Sequence, residues 1–357
     1  MATEVSKPEN TIRVALLAGG DSSEREISLK TAMSMHGAIS PQRFDVTVFD
    51  VSSRAQCAAL HIDAARVSPD EYSTLESWWN EESPGKRRFI HWNALATELK
   101  PQHFDVVLSG LHGGWGEDGT IQALLEVAGI SYVGSPQRSS VIAIDKQLCK
   151  LVMREAGLNV AQGVFVGDVI PEPPFPGPIA VKPNAGGSSV GVTLFRQGCN
   201  AAQWQDAICA ALADGSGALV EELIEGVEVN AGVLGEGQSA RALPLIEIVP
   251  HSASGFYDYE AKYAAGGSEH LIPPRLPQET LDRVADYALR AHRVLGCRGV
   301  SRSDYIVTPD GTPYFLEINT LPGMTKTSLV PDAARAAGIS FEQLIETLLW
   351  EALQRTH

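Results

Sequence analysis

No cysteine pattern, no basic excess and no long apolar run marks this 357-residue chain. Its cysteines, Cys57, Cys149, Cys199, Cys209 and Cys297, are odd in number and scattered without Cys-x-x-Cys spacing. That excludes a disulfide framework or thiolate metal site and fits reduced thiols in the cytoplasm. A formal net charge of −15 argues against non-specific nucleic-acid or anionic-membrane partners. An anionic nucleotide would have to be held locally by Lys, Arg and backbone N–H groups. No apolar stretch approaches the length of a membrane span, and the polar Met1 to Asn10 does not read as a secretory signal. The glycine turn at Gly19-Gly20 lacks the Gly-x-Gly-x-x-Gly spacing of the dinucleotide fingerprint, and the glycine-rich run after Lys182 does not end in a Walker Lys-Ser/Thr opening a helix. Internal repeats and low-complexity tracts are missing too. What remains is an ordinary globular composition, 44% apolar and 20% charged, long enough for two or three domains.

The most informative stretch runs from Arg302 to Leu329. Two β-rich runs, Arg302–Val307 and Pro313–Asn319, flank Thr308-Pro309-Asp310-Gly311 and predict a hairpin. Period-two alternation puts Arg302 with Asp304, and Glu317 with Asn319, on one face of each arm. Folding the hairpin can gather Asp304, Glu317 and Asn319 as hard oxygen donors of the kind Mg²⁺ takes beside phosphates. A polar face that simply meets water is the alternative.

Upstream, Thr11 to Leu17 reads as a buried strand, followed by a glycine turn with Ser and Asp caps opening a helix. Such a strand-to-helix switch suits small ligands, although Glu24 there could be no more than a helix-dipole carboxylate. Phe44 to Asp50 and Phe104 to Leu108 read as strands of the same sheet. Residues 52–100 between them give no functional reading; Trp78, Trp79 and Trp92 suggest a packed insertion. Four glycines in the loop Leu111 to Thr120 imply a close backbone approach, before the helix Ile121 to Val127, and leave His112 either structural or catalytic. Ser139 to Ala156 reads as one helix stopped by Gly157. Gln162 to Val166 and Ile179 to Lys182 read as strands. The run Pro183 to Val192 is then either a phosphate-wrapping lid or a glycine-rich turn. Ala201 to Leu212, Gln278 to Leu295 and Ser340 to Gln354 read as helices, and Ala218 onward, Ala231 to Leu234 and Ala242 to Val249 as strands. Acidic residues at the end of the Ala218 strand can accept ribose hydroxyls, and the backbone at Glu222 to Ile224 can read an adenine edge. The long irregular segment between His251 and His270 suggests a lid or binding loop.

Six motifs then occur in order: Gly19-Gly20-x-Ser-x-Glu24-Arg-Glu-x-Ser28; His112-Gly113 through Glu117-Asp118-Gly119; Asp145-Lys146; Val181-Lys182-Pro183 through Gly191; Tyr257 through Tyr263; and Glu317-x-Asn319-Thr320-x-Pro322-Gly323-Met324-Thr325 through Leu329. Together they resemble the D-alanine–D-alanine ligases of the ATP-grasp superfamily over essentially the whole chain. The resemblance implies an α/β protein: an N-terminal parallel-sheet domain, residues 1–134, then a two-domain ATP-grasp fold of α+β type, residues 135–227 and 228–357. It implies D-alanine and ATP as substrates, two Mg²⁺ with Mn²⁺ as a stand-in, and a homodimer joined through the N-terminal domain. Lys146 and Lys182 would hold α- and β-phosphates, Glu221, Ile224 and Glu228 the adenosine, and Lys262 the γ-phosphate. Asp304, Glu317 and Asn319 would carry the metals, with Glu317 bridging. Glu24 would take the first ammonium and His112 help place it. Ser188 and Tyr263 would close over the site. Arg302 and the Gly323 N–H would stabilise the oxyanion, while Ser328 and the Leu329 N–H bind the second carboxylate.

The implied chemistry suits these residue types. A carboxylate is a poor electrophile, so the γ-phosphoryl group of ATP is first moved to it, a step that needs positioning and charge neutralisation. The chain departs from the resemblance at Asn184-Ala185-Gly186, where many relatives carry an acidic residue, at Glu222, where some have lysine, and at Lys326. Tyr263 stands where depsipeptide-forming relatives place a histidine, which favours D-alanyl-D-alanine over D-Ala-D-Lac; a related ligase making D-Ala-D-Ser or D-Ala-D-Lac is the alternative.

Overall fold

The computed structural model describes residues 11–51, 87–90, 92–167, 169–187, 190–251 and 268–355. Two compact units divide the chain. One holds the residues up to Gln137, Arg298–Val300 and the segment from Leu321 on; the other holds Arg138–Cys297 and Ser301–Thr320.

The first unit is built on a five-stranded parallel sheet in the order β3-β2-β1-β4-β5. The strands are β1 (Ile12–Gly19), β2 (Phe44–Val51), β3 (Arg87–Ile90), β4 (Val106–Ser109) and β5 (Ser131–Tyr132). Six consecutive buried residues, Val14 to Gly19, make β1 the central strand, since a parallel strand covered on both faces needs a continuous apolar run. Helices α1 (Arg25–Ala38), α2 (Trp92–Glu98) and α3 (Thr120–Ala128) pack with the sheet, and Leu17, Phe49, Leu95, Val107 and Leu125 share one core. Strand β3 and helix α2 fall inside the stretch whose sequence gave no reading. Sequence placed a Ser or Asp cap before α1. The N-cap is instead Glu24, whose side chain does not cap the helix, and Ser22 Oγ donates to the His112 carbonyl at 2.5 Å.

The second unit carries two sheets. A four-stranded antiparallel sheet runs β6-β9-β7-β8, from β6 (Gly163–Val166), β7 (Ile179–Pro183), β8 (Thr193–Phe195) and β9 (Ala218–Glu222). A larger sheet runs β13-β12-β10-β14-β15 with β11 paired to β10. Its strands are β10 (Val227–Leu234), β11 (Arg241–Ala242), β12 (Ile246–Pro250), β13 (Ser268–Leu271), β14 (Val300–Val307) and β15 (Pro313–Asn319). Helices α6 (Ala201–Leu212) and α7 (Gln278–Leu295) belong to this unit, and α7 buries Val284, Ala288, Ala291 and Leu295 against the larger sheet, where Tyr305 and Phe315 meet edge-to-face at 5.9 Å.

Three expectations are corrected here. Ser139 to Ala156 is two helices, α4 (Gln137–Ile144) and α5 (Lys146–Glu155). Asp145 is extended and its carboxylate accepts the Leu148 N–H at 2.8 Å, a cap that stabilises the new start by about 1 kcal/mol. Ala242 to Val249 is likewise two strands, because Pro244 lies between β11 and β12 and has no N–H for the ladder. The hairpin forms as expected but is not a plain period-two ladder: register shifts between Asp304/Glu317 and Tyr305/Phe315, leaving Leu316 as the extra residue.

After Thr320 the chain rejoins the first unit. Helices α8 (Leu329–Ala336) and α9 (Phe341–Leu353) follow, and α9 packs on β5, β4 and α1. A capping box between Ser340 and Gln343 starts α9. Among the described residues no helix is long and apolar enough to cross a membrane.

Candidate active site

Within the second unit a cavity of about 400 Å³ opens between the two sheets, a size suited to a small ligand. Lys146, Lys182, Glu221, Ile224 and Glu228 line it, together with Asp304 and Glu317. Local structure explains each position. The break at Asp145 makes Lys146 the first residue of α5, and Asn184 holds that end by accepting the Lys146 N–H on its carbonyl and the Gln147 N–H on its side chain, both at 2.9 Å. Lys146 Nζ donates to the Gly186 carbonyl at 2.6 Å and stands 3.8 Å from Glu317. Lys182, next to last in β7, pairs with Glu221 of β9. Beyond β9 the chain turns along the cavity; the Glu222 and Leu223 N–H groups are already given to the Gln162 and Pro178 carbonyls, at 3.0 and 2.9 Å, so any edge-reading by an N–H falls to Ile224.

The cavity lining carries seven carboxylates against four basic side chains. A polyphosphate could not settle there on lysines alone, and added cations are the physical remedy. The hairpin supplies the donors. Asp304 lies opposite Glu317 and Arg302 opposite Asn319. Asp304 accepts a fork from Arg302, at 2.9 Å to each carboxylate oxygen, and the Asn230 amide at 2.5 Å. Asn230 Oδ1, beside it, is buried without a hydrogen-bond partner. No three His, Cys, Asp or Glu side chains cluster tightly enough among the described residues to hold a metal by themselves. Two carboxylates and an amide fit Mg²⁺ all the same, because that ion completes its shell with phosphate oxygens and water.

In the first unit a second cluster forms. Glu24, buried at the head of α1, lies against Gly113: a methyl group placed on Gly113 would come 3.0 Å from Glu24 Oε2. His112 is fixed by Thr31 Oγ1 at 2.9 Å from Nε2 and stands 3.6 Å from Glu117. Glu117 also accepts the Gly113 N–H at 3.1 Å. Gly323 sits beside both His112 and Ser328, since a methyl there would be 3.8 Å from His112 Cε1 and 3.1 Å from Ser328 Oγ. Ser328 caps α8 and accepts the Thr325 N–H at 3.1 Å, which puts the Leu329 N–H in the first turn of a helix, a natural carboxylate seat. Ser188, Lys262 and Tyr263 lie outside the described residues.

Sequence reasoning missed the roles of two residues here. Trp92 Nε1 donates to Asp21 at 2.9 Å, and its ring meets Trp115 edge-on at 4.9 Å. It thereby ties the loop before Glu24 to the loop after His112. Lys150, buried beside Glu221, was the second. Its spacing of four from Lys146 was the available signal.

Two family profiles match, "D-ala D-ala ligase N-terminus" over residues 13–135 and "D-ala D-ala ligase C-terminus" over residues 171–350. The D-alanine–D-alanine ligase of Gluconobacter oxydans is 41% identical across 96% of this chain and 100% of its own. The chain belongs to the D-alanine–D-alanine ligase family. That of Anaeromyxobacter sp. strain Fw109-5 is 39% identical over 94% of this chain and 96% of its own. Among solved structures, the D-alanine–D-alanine ligase of Bacillus anthracis complexed with ATP superposes with a TM-score of 0.71 at 26% identity, covering 96% of this chain and 98% of that one. The VanG D-Ala:D-Ser ligase of Enterococcus faecalis gives 0.74 at 28% identity, covering 96% and 100%. The expected α/β architecture, with its parallel first sheet and antiparallel ATP-grasp sheets, is that of this ligase family. Membership makes the chain an ATP-dependent ligase with a part in peptidoglycan precursor synthesis.

Proposed function

We propose that this enzyme joins two D-alanines to D-alanyl-D-alanine through an acyl phosphate, with ATP bound in the cavity of the second unit. The observation that carries this is the convergence there of Lys146, Lys182, Glu221, Ile224 and Glu228 with the paired carboxylates Asp304 and Glu317. Lys146 and Lys182 hold the α- and β-phosphates and Lys262 the γ-phosphate, while Glu221, Ile224 and Glu228 take the adenosine. Two Mg²⁺ (or Mn²⁺) held by Asp304, Glu317 and Asn319, with Glu317 shared, would neutralise charge on the phosphate oxygens.

Glu24 takes the ammonium of the first D-alanine and His112 orients it. A carboxylate oxygen of that D-alanine attacks the γ-phosphorus, and ADP leaves. The amine of the second D-alanine, its carboxylate on Ser328 and the Leu329 N–H, then attacks the acyl carbon. Arg302, its guanidinium plane fixed by Asp304, and the Gly323 N–H hold the oxyanion until phosphate departs. Ser188 and Tyr263 close over the site and keep water from the acyl phosphate. A division of labour at residues 134 and 227 is supported by three sheets that fall in residues 12–132, 163–222 and 227–319. The family likeness and the net charge of −15 support a cytoplasmic homodimer that engages neither nucleic acid nor membrane.

The likeness to a D-Ala:D-Ser ligase favours a second reading, with D-serine or D-lactate as nucleophile. Phosphate release measured with paired D-amino and D-hydroxy acids, products identified by mass, separates the two. The first reading expects D-alanyl-D-alanine and phosphate in equal amounts from D-alanine alone. A mixed product dominating at equal concentrations from about pH 6 to 9, the range over which a histidine switch would titrate, overturns it.

A further inference from the structure

Lys150 has no part in the reaction as drawn, yet it occupies a costly position. Its side chain is 4% exposed and it contacts Glu221 Oε1, while Lys182 contacts Oε2 of the same carboxylate. Glu221 itself is 2% exposed. Burying one charge unpaired is prohibitive, and burying three is tolerable only where each is in contact with an opposite charge. The arrangement follows from local structure. Lys150 lies four residues after Lys146 on α5, one turn along the same face. Strand register puts Lys182 opposite Leu219 and Ala180 opposite Glu221, so Lys182 and Glu221 are diagonal neighbours on one face of the sheet. Lys146, Lys182 and Glu221 line the cavity, and Lys150 stands behind them.

The charge count gives Lys150 its meaning. Glu221 and Lys182 alone would form a neutral pair, with Lys182 spent on its own carboxylate. Adding Lys150 leaves the buried triad one net positive charge, at the wall Lys182 presents to the cavity. We propose that Lys150 is a positioning residue whose charge offsets Glu221 and so leaves Lys182 effective toward a phosphate group of the nucleotide. This rests on the assignment of the cavity to ATP. Burial pulls the Lys150 ammonium down to about 8, against the pull of Glu221. Burial would raise Glu221, but the two lysines outweigh it and hold the carboxyl at about 2. All three groups are therefore charged at neutral pH.

The test compares ADP with adenosine, which shares the base and ribose but has no phosphate, by titration calorimetry on the full chain. Lys150→Met should lower the ratio of ADP affinity to adenosine affinity about tenfold or more, the effect of roughly 1.4 kcal/mol lost on the phosphates alone. The double variant Lys150→Met with Glu221→Gln has the original net charge and should recover the ratio. A merely structural lysine would weaken both ligands alike. An unchanged ratio in Lys150→Met, or no recovery in the double variant, overturns the proposal. Should the single variant not fold, the double variant decides: its ratio must equal that of the unmodified protein. If the unmodified protein binds neither ligand, the ATP reading of the cavity fails instead.

Discussion

Acid should weaken the second unit through one histidine. His292, on the helix behind the large sheet, is fully buried. Its Nε2 faces the Gly235 carbonyl at 3.1 Å, which can only accept, so Nε2 carries the proton and Nδ1 accepts the Ser301 hydroxyl at 2.7 Å. Gly235 follows β10 and Ser301 lies on β14, the strands bearing Glu228, Asn230, Arg302 and Asp304. Burial pushes the imidazole down to about 4, and the Gly235 contact only partly opposes this. The folded value lies below the ordinary value of about 6.5, so the unfolded chain binds more protons between the two. Stability is therefore complete above about pH 6.5 and falls as pH drops toward 4; linkage gives a loss of about 2 kcal/mol by pH 5 and about 3 kcal/mol below pH 4. The former corresponds to about 6 °C in melting temperature for a unit of this size. Melting the unmodified protein and His292→Gln at pH 7 and pH 5 provides the assay. The variant starts lower but should lose about 2 kcal/mol less between the two pH values. Equal losses in both proteins would refute the buried neutral imidazole as the cause.

Glu317→Gln should cut turnover by about two orders of magnitude or more while melting within a few degrees of the unmodified protein, because volume is kept and only the charge beside the phosphates is lost. Near-normal turnover at ordinary Mg²⁺ concentration would place the metal elsewhere. Deleting Leu316 should remove the bulge yet leave Glu317 lining the cavity with Asn319 two residues on along the same strand face, so Mg²⁺-dependent ADP binding persists, weakened about tenfold by the lost apolar contact. Calorimetry that finds ADP binding abolished would count against the bulge assignment. Trp92→Phe removes the indole bond to Asp21 but keeps the ring against Trp115, and should raise KM for D-alanine several-fold with KM for ATP unchanged. A shift in both, or in neither, measured by steady-state kinetics, would deny Trp92 its role in joining the two loops.

Much of this protein is determined by patterns that act over a few residues. Continuous apolar runs such as Val14 to Ala18, with both faces covered, have no stable place except a buried parallel strand. Gln278–Leu295 and Ala201–Leu212 carry their own helical periodicity and bounds, which the structure reproduces. The hairpin's turn residues fix which arms pair, and Asp304 meets Glu317 as alternation requires. Other features depend on partners far away in sequence. Asp145 breaks a helix whose periodicity continues through it, and the new end is held by Asn184, just after β7. Phe315 and Glu317, two residues apart, would share a face in a plain strand. The bulge at Leu316 sends Phe315 to the core, where it meets Tyr305, and Glu317 to the cavity, opposite Asp304. Lys150 is an ordinary helix lysine until β9 brings Glu221 against it. Sequence could assign the residue types that phosphate and metal require. Which of those charges are buried, and which cancel, is set by the low dielectric and close packing that exist only once the sheets have come together.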